Sequence, residues 1–326
     1  MGMITACTLD CPDSCSLEAT VDNGQLIALD AAPDGANPAT NGWICAKVKH
    51  TPQLLHGPDR ITMPLRRTGR KGSGEFVEVT WDEALDMFAD RIRRAVAAHG
   101  WPSVVPYLYN SSAGKMAQAG LSPLVWEHLG AARTDITICA ATVGEAWDRT
   151  YGSMPSADAQ DLQHSELIVV WGANPNVSHP HLSPVIEDRR RAGAKVIVVD
   201  PRRTPIAARA DLHLALRPGT DGVLAMAVAA LLQRNGHLDR AFIERWIDGA
   251  DEYLAACQEW TPMRAAEVCD VDAADIERFA EMYGTIRPAM LRVGWGQERN
   301  RNGGSASRAV FALPALAGHF GTPGSG

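Results

Sequence analysis

The sequence has no apolar run long enough to cross a bilayer, no extended block of lysine and arginine, and no secretory or twin-arginine leader pattern. The first and third of these lead to the expectation of a soluble, cytoplasmic chain. A net charge of −7, with only short basic clusters such as Arg66–Lys71, argues against nucleic acid as the main partner, because phosphate binding needs concentrated cations. There is no Gly-x-Gly-x-x-Gly after the first strand signal, so an ordinary NAD site is not indicated. The 326 residues, 46% of them apolar, are enough for two or more compact units.

Cysteine is concentrated in one place. Cys7, Cys11 and Cys15 stand at Cys-x3-Cys-x3-Cys spacing, and Cys45 follows a segment that reads as a hairpin. Ser16–Val21 and Gln25–Leu29 alternate about Asp22-Asn23-Gly24, a turn signal that folds the chain back on itself. One loop can aim three thiolates at a point, and the fold-back brings a fourth, so the spacing predicts a 4Fe-4S cluster. Structural zinc is the first alternative, although it favours paired Cys-x2-Cys knuckles. Disulfides would need an oxidising compartment. An S-adenosylmethionine radical site would use three cysteines at a different spacing.

Downstream, His56–Gly74 reads as a linker rich in Pro, Gly and Arg. Thr80–Glu83 is an N-cap with an acidic first turn, opening an amphipathic helix to about Ala98. The apolar run Val104–Tyr109 reads as a strand, followed by a helix over Met116–Leu129. Buried parallel strands are expected at Leu167–Trp171, Val196–Val199 and Ala289–Val293, with helices near Ser183–Ala192, Asp221–Arg234 and Ser305–Leu316. The fold class is α/β: a small β-rich iron-sulfur domain, then doubly wound, Rossmann-like parallel sheets. In such sheets ligands sit at the carboxyl ends of strands, where this chain puts Asn174, Ser178, Asp200, Arg202, Gly219 and Asp221. Helix N-termini beside them suit a nucleotide or pyrophosphate.

The stretches Cys7–Cys15, Trp43–Lys47, Thr80–Leu85, Trp171–Pro175, Val198–Arg202, Arg217–Asp221 and Gly318–Gly324, in that order, resemble the N-terminal portion of molybdenum enzymes of the dimethyl sulfoxide reductase family. That family includes formate dehydrogenases and nitrate reductases. The resemblance implies a 4Fe-4S domain over residues 1–57, the first part of a central α/β domain over 58–134, and a molybdopterin-dinucleotide domain over 135–326 that ends before the family's C-terminal pterin-binding barrel. It implies two cofactors, a 4Fe-4S cluster on Cys7, Cys11, Cys15 and Cys45, and molybdenum bis(molybdopterin guanine dinucleotide). The first cysteine gap here is three residues where many family members have two.

By the same resemblance Lys47 lies between cluster and pterin, and Cys139, in Ile138–Ala141 followed by Arg149–Gly152, is the molybdenum ligand. A soft thiolate suits that metal. Asn174, Asn176, Ser178, Asp200, Arg202, Gly219, Thr220 and Asp221 would hold the dinucleotide. Formate enzymes carry a histidine directly after the metal ligand, where this chain has Ala140. His179 and His181 follow the Trp171 turn and read as local hydrogen-bonding residues, while Cys257 and Cys269 have no motif around them. The resemblance implies two-electron chemistry on a small redox substrate, with an electron-transfer protein or reductase subunit as partner. The competing expectation is a non-catalytic iron-sulfur electron-transfer or assembly module without a complete molybdenum site.

Overall fold

The computed structural model describes residues 2–33, 37–108, 120–134, 140–154 and 156–326. The chain divides into two compact units, Met1–Ile136 and Thr137–Gly326.

The first unit opens with an antiparallel sheet of β1 (Gly2–Ala6), β2 (Ser16–Asp22) and β3 (Gln25–Ala31), in that order. The β2–β3 turn is made by Asn23 and Gly24, with φ of 48° and 78°. Both are left-handed, as a two-residue turn that follows strand twist requires, and Asn and Gly are the residues that adopt this at least cost. A register shift at Thr20/Val21 marks a bulge just before the turn. Two short helices follow, α1 (Ala46–Lys49) and α2 (Thr51–His56).

The segment expected to be a linker contains half of a hairpin, because β4 (Leu65–Arg67) pairs antiparallel with β5 (Phe76–Glu78). The next helix, α3 (Trp81–His99), begins where the sequence predicts. Thr80 Oγ1 accepts from the Glu83 amide at 3.2 Å while a Glu83 oxygen accepts from the Thr80 amide at 3.0 Å, a reciprocal cap that satisfies two orphan donors. The strand expected at Val104–Tyr109 is not formed over the described residues Val104–Leu108. Tyr107 is 93% exposed and Val105 59%, so an apolar run with no sheet to bury it stays irregular. The following helix, α4, is described from Ser122 to Leu129, later than the expected start at Met116, and residues 116–119 lie outside the described set.

The second unit begins with α5 (Ala141–Tyr151) and is built on a four-stranded parallel sheet of order β8-β7-β6-β9. Its strands are β6 (Leu167–Trp171), β7 (Lys195–Val199), β8 (Leu212–Leu214) and β9 (Ala289–Val293). Every residue of β6 is buried, which explains a run of β-formers without polar alternation. Alternate side chains serve two layers. Leu167, Val169, Trp171, Ile197 and Val199 pack toward α8 (Asp221–Arg234), α12 (Ala273–Thr285) and α13 (Gly303–Ala317). Ile168, Val170, Val196, Val198 and Met290 pack with Leu182 and Ile186 of α7 (Leu182–Arg191) on the other face. Three shorter helices, α9 (Arg240–Trp246), α10 (Ala250–Cys257) and α11 (Pro262–Cys269), complete the path from α8 to α12, and α6 (Pro175–Ser178) precedes α7. Because β6 lies between β7 and β9, the chain leaves β6 in one direction through β7 and β8 and returns on its other side at β9. The gap between the carboxyl ends of β6 and β9 is therefore the topological switch point of a doubly wound sheet.

His319, just past α13, is 1% exposed and its Nε2 lies 2.9 Å from the Tyr283 carbonyl, to which it donates. Burial pushes its pKa down from 6.5 to about 4. The unfolded chain then binds more protons than the folded one between these two values, so His319 costs nothing above its unfolded pKa and destabilises the fold as pH falls toward 4. The full loss is about 3 kcal/mol. Denaturant unfolding of the second unit should weaken between pH 7 and pH 4, and His319→Gln should remove most of that dependence. Equal slopes in both proteins would assign the acid sensitivity to other groups.

Candidate functional site

The cysteine loop joins β1 to β2 and is closed at its base by the Cys7 amide donating to the Cys15 carbonyl at 2.8 Å. Inside it the Ser14 amide donates to the Cys11 carbonyl, and Ser14 itself is left-handed, with φ of 43°. Asn37 Nδ2 donates to the carbonyls of Asp13 (3.1 Å) and Ser14 (2.8 Å), and buried Thr40 Oγ1 accepts from the Ser16 amide at 3.0 Å. The segment leading to Cys45 is thus tied to the loop holding the other three, and Cys45 is the N-cap of α1.

The Cys15 thiol lies close enough to Cys7, Cys11 and Cys45 for each to act on it electrostatically. Cys7, Cys15 and Cys45 share one small core with Leu17, Ala19, Leu29 and Val48. Among the described residues no three His, Cys, Asp or Glu side chains converge as they would around one metal ion. Four thiols sharing one region are the ligand set that a 4Fe-4S cluster uses. Burial pushes the Cys11 and Cys15 thiols up to about 11, and the Asp13 carboxylate adds to both shifts. The exposed Lys47 ammonium on α1 pulls Cys11 the other way.

At the switch point two turns are joined backbone to backbone. The Gly294 amide donates to the Trp171 carbonyl (2.8 Å) and the Gly296 amide to the Gly172 carbonyl (3.1 Å). A Cβ on Gly294 would stand 2.2 Å from the Gly172 carbonyl oxygen, so only glycine allows this approach. Around the two turns several buried oxygens lack a hydrogen-bond partner among the described residues: Asn174 Oδ1, Asn176 Oδ1, Gln297 Oε1 and Glu298 Oε1. The Gln297 amide orientation is assigned by its network. Its Nε2 donates to Ser307 Oγ, whose own hydroxyl donates to the Gly303 carbonyl at 2.8 Å. Orphaned buried acceptors carry a large desolvation cost, and their occurrence in the two segments that follow β6 and β9 fits a ligand rich in N–H donors, such as a pterin or a purine base.

The other sequence-predicted residues are placed as follows. Asp200 directly follows β7; its Oδ1 accepts from the Arg202 amide at 2.8 Å, and the Arg202 side chain is exposed. Asp221 opens α8, is buried, and accepts from the Trp171 indole N–H at 2.8 Å. Burial raises its pKa and the Asp200 carboxylate adds to the rise, so the two acids lie near one another. One oxygen of Asp221 is nevertheless committed to Trp171. Gly219 adopts φ of 89°, and the Thr220 hydroxyl donates to the Arg217 carbonyl at 2.7 Å. Ser178 Oγ donates to the Asn174 carbonyl at 3.1 Å. His179 and His181 are buried beside this turn. Cys139 lies outside the described residues.

Sequence reasoning missed Gln297 and Glu298 at the switch point, and it also passed over Arg292 within β9. Arg292 is a half-buried cation near the end of β9 with no ion-pair partner among the described residues, and burial lowers its pKa. The signal available was the Gly294-Trp295-Gly296-Gln297 turn directly after a strand.

Comparison with known proteins identifies the family. The molybdopterin oxidoreductase Fe4S4 domain matches residues 3–57, and the molybdopterin oxidoreductase family matches residues 60–326. The chain belongs to the molybdopterin oxidoreductases, and its two expected cofactors, a 4Fe-4S cluster and a molybdopterin, are those of the matching domains. It is 30% identical over 322 residues to the probable oxidoreductase YoaE of Bacillus subtilis, covering 99% of this chain and 47% of that protein. It is 28% identical over 325 residues to the F420-dependent formate dehydrogenase 2 subunit alpha of Methanococcus maripaludis, covering 97% and 46%. Acetylene hydratase from Pelobacter acetylenicus superimposes with a TM-score of 0.80 at 26% identity, covering 99% of this chain and 44% of that one. The chain thus spans a little under half the length of these relatives.

Proposed function

We propose that the chain is the cluster- and dinucleotide-binding portion of a molybdenum-dependent oxidoreductase. The observation that carries this is the set of orphaned oxygens of Asn174, Asn176, Gln297 and Glu298 at the switch point, in a chain that also brings four cysteines into one region. When bound, the molybdenum pterin supplies two-electron chemistry and the cluster relays single electrons. In this reading the cofactor is bis(molybdopterin guanine dinucleotide). Cys7, Cys11, Cys15 and Cys45 hold the cluster, and Lys47 places a cation between cluster and pterin that stabilises added negative charge. Cys139 is the protein ligand to molybdenum. Asn174 and Asn176 accept from ring N–H groups, and Asp200 and the second oxygen of Asp221 accept from the guanine edge. Ser178, Arg202, Gly219 and Thr220 meet the phosphate and ribose groups. The domains divide as 1–57, 58–134 and 135–326.

No helix among the described residues is long and apolar enough to cross a membrane. We place the protein in the cytoplasm, with a small redox substrate and an electron-transfer protein or reductase subunit as partners. The names of the relatives include an oxidoreductase, a formate dehydrogenase subunit and a hydratase, so the substrate is not carried over from them. A non-catalytic iron-sulfur module has less support, because a module that never held a dinucleotide has no use for unsatisfied acceptors at the switch point.

Acid hydrolysis of the cofactor-loaded protein should release guanine mononucleotide, and Asp200→Ala should lower the amount retained after purification by roughly tenfold, the loss expected of a charge-assisted contact. Adenine or no nucleotide would overturn the base assignment.

A further inference from the structure

The helix α3 is long and firmly capped, yet none of its residues is buried. Its apolar side chains recur at helical spacing, with Trp81, Leu85, Phe88 and Ile92 on one stripe that Ala95 continues. A stripe of this kind ordinarily faces a core. Here Trp81 is 61% exposed and Leu85 and Phe88 are each 58% exposed, while Ile92 and Ala95 nearer the C-terminus are half-buried. The first three side chains alone show water on the order of 300 Å² of apolar surface, the size at which a patch marks an interaction site. They have no cover among the described residues.

The charges on α3 indicate what fits this face. Trp81–Asp90 carries Asp82, Glu83, Asp86 and Asp90 and no Lys or Arg, whereas Arg91–His99 carries Arg91, Arg93 and Arg94 and no Asp or Glu. The helix dipole accounts for acids in the first turn, but its influence fades within a turn and does not reach the middle, where the sign changes. The segregation also costs the isolated helix, because Asp82, Asp86 and Asp90 follow one another at i, i+4 spacing, where like charges repel. Asp82, Asp86, Arg91 and Arg94 make no ion pair among the described residues, and the pair that is made on the helix, Arg93 with Asp90 at 3.0 Å, is exposed and weak. A helix divided in this way is complementary to itself when reversed.

We propose that α3 is a self-association surface, on which a second copy of this chain lays its own α3 antiparallel across the stripe. Asp82 and Arg93 are eleven residues apart, close to three whole turns, so they share one flank of the stripe at opposite ends. Reversal sets Asp82 of each copy against Arg93 of the other. The two-fold axis then falls at Met87–Phe88, where Phe88 meets its own copy, and each Trp81 lies near the small Ala95 of the other helix.

The test is the mass of the purified protein by sedimentation over a concentration series, for wild type, Phe88→Glu, Asp82→Arg, Arg93→Asp and the double variant Asp82→Arg/Arg93→Asp. Wild type should pass from monomer to dimer as concentration rises, and Phe88→Glu should stay monomeric. Each single reversal turns two attractions into two repulsions by symmetry and should weaken the dimer roughly tenfold, while the double variant, whose charges have changed places, should return to within about threefold of wild type. That rescue separates lost pairing from lost folding, since a helix that had melted would not recover through a second reversal. A wild-type protein that is monomeric at every concentration leaves the face to another segment or partner and overturns the proposal. A dimer that survives Phe88→Glu, or a double variant that binds no more tightly than either single one, overturns it as well.

Discussion

Under the proposed function, replacing Cys139 by Ala should abolish turnover with artificial electron dyes in the cofactor-loaded protein while leaving the iron-sulfur signal intact. Weakening the outer support of a metal ligand costs up to about 100-fold in affinity or activity, so removing the ligand itself should exceed that. The iron-sulfur signal should persist because the four cysteines proposed to hold the cluster lie in the first compact unit and are not altered. X-ray absorption at molybdenum should show one fewer sulfur neighbour. Normal activity with an unchanged sulfur shell would move the ligand elsewhere, with Glu145 and Thr142 the nearest candidates in sequence.

Substitution of Cys15 by Ser should have a second large effect, on folding rather than on chemistry. The buried core around the three-stranded sheet consists of Cys15, Leu17, Ala19, Leu29 and Val48, with Cys7, Leu26, Ile44 and Cys45 packed at its margin. So few apolar side chains cannot hold a segment of this size, and small domains of this kind are stapled by metals or disulfides. For a structural metal, binding free energy is folding free energy, about 10–16 kcal/mol in zinc-finger peptides. Cys15→Ser should therefore lose iron and sulfide, and amide protection in β1, β2 and β3 should collapse while that in β6 and β7 persists. A variant that kept full iron content would remove Cys15 from the ligand set.

The contrast between these regions shows what the sequence could convey. The β2–β3 hairpin was legible because Asn23-Gly24 is a local signal whose meaning needs no partner. The strands β6 and β7 were legible because they are buried on both faces and so carry unbroken apolar runs. Val104–Leu108 looked much the same on paper and forms no strand, since apolar character states only that burial is favourable, not that a neighbouring strand is present. The spacing of the cysteines was readable, and the fold brings the four into one region. Asp221 was placed at the right helix start, but its bond to the Trp171 indole joins residues 50 positions apart and has no sequence signature. Glu298 was harder still, because the helix start it caps lies 155 residues earlier in the sequence.

The central claim is that one chain carries both an iron-sulfur cluster and a molybdenum-pterin site, and the most direct test counts the metals. The protein should be purified anaerobically from cells supplied with molybdate and analysed for iron, acid-labile sulfide, molybdenum and zinc. The account predicts iron and sulfide in the proportion of one 4Fe-4S cluster per chain, together with molybdenum. Iron and sulfide without molybdenum would favour an electron-transfer or assembly module, and stoichiometric zinc without iron would contradict the account at its first step.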